Sequence, residues 1–255
     1  MKAIVHNRHK PCYIVANMST PLWNKKLKCP FCGGDFETTR MRSSVIRIKE
    51  KMTDFGKIYE GECPYFYAIT ACPHCTFSAL NKDFQSIRAQ YEPKVMEASR
   101  KIRESGRSKP DLFGIGPITP EVAAKRHELA IAFMKMRAFK DLGAMAGLYM
   151  HLVWIFRLMK DEKREKGAMA EAAKAYEEYH EKGGDLPEQL GEPGTLYLIG
   201  DLHRRMGQYK EARRFYERAL ASKEIKNFPF IANQTRDMML IAKAQEAKAE
   251  KGNPE

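Results

Sequence analysis

Two cysteine pairs, Cys29-Pro30-Phe31-Cys32 and Cys72-Pro73-His74-Cys75, carry the spacing in this chain that points most directly at chemistry. Each C-x-x-C sets two thiols one tight turn apart, the arrangement with which a backbone loop wraps a tetrahedral ion. The chain has six cysteines, and only Cys29, Cys32, Cys72 and Cys75 fall into such pairs, which predicts a single four-cysteine zinc site. Gly33-Gly34 follows the first pair, and glycine's freedom at positive φ suits a turn that aims backbone amides at sulfur. Four protein ligands leave no coordination position for water or substrate, so the expected zinc is structural rather than catalytic.

Other chemistries fit less well. A C-P-x-C motif also serves thioredoxin-like oxidoreductases, where the first cysteine opens a helix. Here Gly33-Gly34 interrupts any such helix, and no βαβ pattern precedes either pair. An iron–sulfur cluster is a further guest for four thiolates. Cys63, between Glu62 and Pro64, reads as a partly buried free thiol, and Cys12 as free. His74 is expected to turn its ring to solvent, and His6 and His9 belong to a flexible tail. No nucleophile–base pair, phosphate-cradling glycine loop or H-E-x-x-H motif stands out, and Pro117 excludes a dinucleotide fingerprint at Gly114-Ile115-Gly116. No enzymatic activity is expected.

The elements that must position the cysteines follow from pattern. The two pairs are separated by 39 residues, more than a compact finger uses, so an extra hairpin must fill the gap. Val45-Ile46-Arg47-Ile48 and Tyr65 through Thr70 are rich in aromatic and β-branched residues and read as strands, with Gly56 and Gly61 between them. Phe84, Ile87, Tyr91, Val95, Ala98 and Ile102 recur at helical spacing, with Asn81 or Asp83 as cap. Beyond Pro120 the whole chain is helical in pattern, and 144–159 is nearly apolar all round, as a central helix would be. The sequence thus predicts an α+β, mostly α protein. A flexible segment 1–26 precedes a zinc ribbon 27–80, a connecting helix 81–105, a Gly/Pro-rich linker 106–120 and a helical domain 121–250. Met18 is an alternative translation start.

The stretch from Thr195 to Leu220 resembles a tetratricopeptide repeat. Leu196, Ile199, Gly200 and His203 share one face of a first helix, Gly207-Gln208-Tyr209 turns, and Ala212, Tyr216 and Ala219 face back. Residues 144–180 read as a degenerate copy with a long charged turn over 160–166. Stacked helix pairs of this kind form a small array whose concave surface holds a peptide or partner protein.

Composition narrows the class. At 255 residues and 44% hydrophobic content the chain can bury a substantial core. No apolar run approaches the roughly 18 residues that cross a bilayer, and the N-terminus lacks the pattern of a signal peptide, so a cytoplasmic protein without a membrane partner is expected. The net charge of +12 is uneven: residues 1–110 hold 20 Lys and Arg against 10 Asp and Glu. That balance makes nucleic acid the alternative partner, through Arg40, Arg42, Arg47, Lys49 and Lys51.

Taken together, Cys29 to Phe36, Arg42-Ser43-Ser44-Val45-Ile46-Arg47, Asp54-Phe55, Pro64 to Tyr67 before Cys72 to Cys75, and Leu196 to Leu202 resemble the bacterial family catalogued as domain of unknown function 2225. The likeness runs from about residue 28 to 248. It implies a zinc ribbon joined to helical repeats and implies no activity. Thr76 and Cys63 stand where that family usually has glycine and asparagine. The reading overall is a zinc-binding adaptor for a protein or peptide partner, with a homo-oligomer compatible with it. Metal loss is expected to unfold 28–80 and spare the helical tail.

Overall fold

The computed structural model describes residues 21–86, 93, 94, 97, 99–101, 105, 110–137, 141–184 and 190–251. Cys12, His6, His9 and Met18 lie outside the described residues. The protein is α+β and mostly helical, with three two-stranded antiparallel sheets and six α-helices among the described residues.

Strand β1 (Leu22–Lys28) pairs with β2 (Asp35–Met41), and the turn that joins them carries the first cysteine pair. Residues 1–20 of the segment expected to be flexible lie outside the described residues, and β1 starts at Leu22. Residues 22–26 are held by the ladder that runs from Leu22 opposite Met41 to Lys28 opposite Asp35. Strands β3 (Arg47–Lys51) and β4 (Lys57–Glu60) form the extra hairpin. Strands β5 (Ile69–Ala71) and β6 (Ser78–Leu80) flank the second cysteine pair.

Two expected strands are partly something else. Ser43–Val45 and Pro64–Tyr67 are short 3-10 turns. Pro64 at the first position has a fixed φ and no N–H to leave unpaired, which starts a helical turn more readily than a ladder. That turn buries Tyr65 and Tyr67; the Tyr67 hydroxyl donates to Glu62 Oε2 at 2.8 Å and accepts from the Ile118 N–H at 3.3 Å. The connecting helix also starts later than predicted. Residues 81–86 are turns, and Asn81 caps nothing: its side-chain amide donates to the Tyr67 carbonyl at 2.6 Å. Phe84 enters the core beside the cysteines, while residues 87–92 lie outside the described residues. Helical hydrogen bonds recur at Glu97 to Pro93 and Ser105 to Lys101.

The Gly/Pro-rich stretch 106–120 is a packed connection rather than a loose linker wherever it is described. Leu112 and Ile118 are buried. Arg126 donates to the carbonyls of Leu112 (2.6 Å) and Gly114 (3.1 Å), and the Gly116 N–H donates to Thr39 Oγ1 at 2.7 Å. These bonds pair backbone groups of the connection with Arg126 and Thr39, and burial in turn lowers the Arg126 guanidinium to about 10.

Helices α1 (Pro120–Lys135), α2 (Leu142–Leu158) and α3 (Glu162–Glu181) each begin at a side-chain cap: Thr119 on the Val122 N–H, Asp141 on Ala144, Asp161 on Arg164. The charged turn expected over 160–166 is only the short link Met159–Asp161. Lys160 takes a left-handed conformation (φ +57) and Asp161 caps, so residues 162–166 already belong to α3. Glu162 and Glu165 then sit at the positive end of the helix dipole. Gly183, at φ +78, ends α3: its N–H returns to His180 and that of Gly184 to Tyr179, a Schellman closure.

Helices α4 (Gly191–Arg205) and α5 (Tyr209–Ala221) form a tight hairpin, and α6 (Pro229–Lys251) packs on both. Gly200 makes the close approach: a Cβ there would lie 2.7 Å from the Tyr216 ring and 3.1 Å from the Ala212 carbonyl. Tyr216 is fully buried and has nowhere to move. Gly200→Ala is therefore expected to destabilise the protein by about 1–3 kcal/mol, read as a lower urea midpoint.

A single apolar core runs from Tyr65, Tyr67 and Ile69 of the ribbon through all six helices, so ribbon and helices are not separate bodies. The Tyr65 ring packs at a tilt against those of Trp154 (4.8 Å) and His151 (5.1 Å) of α2. His151 is bonded in turn to His127 of α1, with Nδ1 and Nε2 3.2 Å apart, and His127 Nδ1 donates to the Ala123 carbonyl at 2.7 Å. Burial lowers His127 to about 4 and His151 to about 3, so both rings are neutral in the fold. The unfolded chain takes up these protons near pH 6.5, so stability is complete above that pH and is lost as pH falls toward 4. At about 1.4 kcal/mol per pH unit per imidazole, His127 alone should cost roughly 2 kcal/mol between pH 6.5 and 5. Urea titrations of metal-saturated protein should show that loss, and His127→Gln should flatten it.

Candidate metal centre

The two cysteine turns share one geometry. In the first, the Gly33 N–H donates to the Cys29 carbonyl (3.0 Å) and the Cys29 N–H to the Gly34 carbonyl (2.9 Å). In the second, Thr76 donates to Cys72 (2.9 Å) and Cys72 to Phe77 (2.8 Å). The fifth position of each turn is left-handed, φ +72 at Gly33 and +62 at Thr76. The Thr76 hydroxyl donates to the Cys75 carbonyl at 2.6 Å, and the side chain is fully buried. His74 is exposed, as expected, yet anchored: its Nε2 lies 3.0 Å from the Asp35 carbonyl and its ring covers Gly34, where a Cβ would meet it at 2.4 Å.

The turns face each other, and the sulfurs of Cys29, Cys32, Cys72 and Cys75 all lie within 4.8 Å of one another. Cys29 Sγ is 3.6 Å from Cys75 Sγ, and Cys32 Sγ is 3.8 Å from Cys72 Sγ. A disulfide would need about 2.05 Å. A tetrahedral ion with metal–sulfur bonds of about 2.3 Å spaces its sulfurs roughly 3.8 Å apart. The donor set therefore fits such an ion. Ionisation fits it as well: hydrogen bonds from Cys72 and then Cys75 lower the Cys29 thiol to about 2, and the same contact raises Cys72 to about 12 and Cys75 further. Among Cys29, Cys72 and Cys75 these contacts favour a single thiolate, and a bound cation would favour ionisation of the other two.

Aromatic packing ties the centre to the helices. Phe77 contacts Phe31 (5.9 Å), Phe84 (5.1 Å) and Phe133 of α1 (5.6 Å), and Phe36 meets Phe84 at 5.8 Å. Cys29, Cys72, Cys75, Phe77, Phe84 and Phe133 form one buried cluster. Cys63 stays apart from it, buried in the main core, where burial raises its thiol to about 11.

A model of the family described as "Uncharacterized protein conserved in bacteria (DUF2225)" matches residues 22–242. The chain belongs to that family. No curated protein and no solved structure matches it. The DUF2225 match opens on the first residue of β1 and closes inside α6, so it takes in the cysteine centre and the helices together.

The basic residues of this DUF2225 chain do not line up as one stripe. Arg40 donates to Thr70 Oγ1 at 2.7 Å and is half-buried. Arg47 bonds the carbonyls of Ser44 and Ile46. Between Ile48 and Glu50 the register slips by one residue, so Arg47, opposite Glu60, and Lys51, opposite Lys57, fall on different faces.

A second cluster escaped the sequence. At the β3–β4 tip, Asp54 is fully buried, with Oδ2 2.7 Å from Arg157 Nη1 and 3.7 Å from Arg205 Nε. The Arg157 pairing is a charge contact without hydrogen-bond alignment, since Oδ2 has no bonded partner among the described residues. Arg205 also reaches Asp201 Oδ2 (2.8 Å) and Thr53 Oγ1 (2.7 Å), and Arg157 reaches Glu165 at 2.7 Å. Burial alone would raise Asp201; Arg205 and Arg204 outweigh it and hold its carboxyl low. The one local sign was Arg157, a lone cation in the apolar run of α2.

Because Phe133 and Tyr65 belong at once to ribbon and helices, metal loss should cost helix as well as ribbon, contrary to the separable units that the sequence suggested. Chelation or Cys72→Ser is expected to lower far-UV circular dichroism beyond the ribbon's share and to move the urea midpoint of the whole chain in one transition. An unchanged helical signal would refute the shared core.

Proposed function

We propose that this protein is a non-enzymatic, zinc-stapled adaptor that works in the bacterial cytoplasm and binds a protein or peptide through its helical array. The observation that carries the reading is the closed set of four sulfurs at tetrahedral spacing, which leaves no open coordination position. Zinc is favoured because four thiolates select zinc or iron–sulfur, and a reducing compartment keeps such thiols available.

The array supports the partner role by its shape. Its helix pairs resemble tetratricopeptide repeats, whose first helices line an inner face. Here α2, α4 and α6 contribute Arg157, Arg205 and Gln234 to one surface. An open cavity of about 420 Å³ continues that surface, lined by Glu165, Lys166, Arg204, Tyr209 and Gln245 among others. Its mixed charges and single aromatic suit a polar peptide segment better than a small apolar ligand.

Affinity capture of the tagged, zinc-loaded full chain from its host is the test. A protein partner should be released by Lys166→Glu with Tyr209→Ala in the cavity, and retained with Arg214→Glu, which is exposed on α5. Metal analysis should give one zinc per chain. Nucleic acid released by Lys49→Glu with Lys51→Glu would overturn the adaptor reading in favour of binding through the ribbon.

A further inference from the structure

We propose that the inner groove of the array recognises a peptide carrying a carboxylate followed by an aromatic ring, and that the β3–β4 tip, Met52–Gly56, occupies this groove in cis. The inference rests on the adaptor reading and specifies its ligand.

The tip is held as a groove holds a peptide, through main chain, hydroxyl, carboxylate and ring at once. The Thr53 carbonyl accepts from the Tyr197 hydroxyl (2.7 Å) and from Gln234 Nε2 (3.2 Å). The Thr53 hydroxyl donates to Asp201 at 3.0 Å and accepts from Arg205 at 2.7 Å. The Asp54 carboxylate sits between Arg157 and Arg205. The Phe55 ring lies 5.5 Å from the ring of Tyr197. These partners come from α2, α4 and α6, three helices far apart in sequence.

Three observations mark this occupant as replaceable. Arg157 Nη2, Trp154 Nε1 and Gln234 Oε1 are buried at the seat without a hydrogen-bond partner among the described residues, so the tip leaves donors and an acceptor unused. Phe55 is held at φ +62, a conformation that an aromatic residue adopts only under constraint and that a linear peptide need not copy. Strand β3 is exposed along its whole length, and a two-stranded hairpin gives its own tip little independent support. The groove also runs on: Arg205 and Glu165, both tied to the seat, line the open cavity where flanking peptide residues would lie. A ligand that enters there can displace Asp54 while keeping the two arginines paired, so neither charge is left buried alone.

The test uses zinc-loaded full chain and a labelled peptide with the sequence of residues 50–57, read by fluorescence anisotropy. Asp54→Ala with Phe55→Ala empties the seat in the protein. This variant should bind the peptide roughly tenfold or more tightly than the wild type, whose own tip competes. A peptide bearing Asp54→Asn and Phe55→Ala should bind neither protein. Equal binding to variant and wild type, or none to a folded variant, overturns the proposal. Should the variant not fold, hydrogen exchange of the wild type decides: amides of Phe55 and Gly56 that open faster than those of α4 support displacement, and exchange only through global unfolding rejects it. A partner captured through Lys166 and Tyr209 while this peptide fails would leave the adaptor standing and remove this ligand.

Discussion

Four sulfurs brought within 4.8 Å of one another impose the constraint on which the ribbon depends. Thiolates at that spacing repel one another, and a bound metal ion would offset that repulsion, so the arrangement is one that could hold a cation at its centre. Once the ion fixes both turns, the rest of the ribbon follows mechanically. The β1–β2 ladder flanks the first cysteine turn and the β5–β6 ladder the second, and Phe77 and Phe84 pack beside the cysteines. The ribbon is too small to bury that aromatic layer by itself. Phe133 of α1 completes it, which makes the first helix part of the metal domain in every energetic sense.

The second attachment is of a different kind. Where the sulfur centre joins ribbon to helix by apolar area, the β3–β4 tip does so by charge, with Asp54, Asp201 and Glu165 set against Arg157, Arg204 and Arg205. Buried ions lose hydration that their pairing recovers only in part, so such a network adds less stability than apolar residues of the same volume would. What it gives is specificity of position: an unpaired arginine in that groove is costly, and a carboxylate placed beside it reduces the cost. A site that demands a carboxylate without gaining much from it suits reversible occupation better than permanent packing.

Much of this was legible in the sequence, and the parts that were not have physical reasons. Cys29, Cys32, Cys72 and Cys75 declare themselves because metal ligation needs fixed local spacing, and Gly200, Ala212 and Tyr216 because helix contact has a fixed period. Asp54, Arg157 and Arg205 form one site across about 150 residues of chain, and no local period relates them. The strand expected at Tyr65 to Tyr67 failed for another reason. Aromatic residues favour strands only where a ladder is available, and Pro64 removed the donor that a ladder would have used. The stretch 106–120 reads as a linker by composition, since glycine and proline mark irregular backbone whether or not it is packed. Arg126, a residue of α1, decides the matter by satisfying that backbone.

The same distinction between local signal and imposed conformation explains Thr76. Gly33 occupies the matching place in the first turn at φ +72 with open space where a Cβ would sit, whereas Thr76 takes φ +62 with a branched side chain. A left-handed conformation costs a residue with a Cβ about 1–2 kcal/mol, and its buried hydroxyl recovers part of that through its bond to the Cys75 carbonyl. The remainder is small beside the roughly 10–16 kcal/mol with which a structural zinc holds a cysteine site. A turn that a bound ion would clamp at Cys72 and Cys75 is over-determined, so the residue between ligand and strand could be chosen for the core it enters. Thr76 lies completely buried beside Phe77 and Ser78, whose hydroxyl donates to the Thr76 carbonyl at 3.0 Å. A metal held by Cys72 and Cys75 would offset that strain, with the ligand geometry rather than the local sequence setting the backbone there.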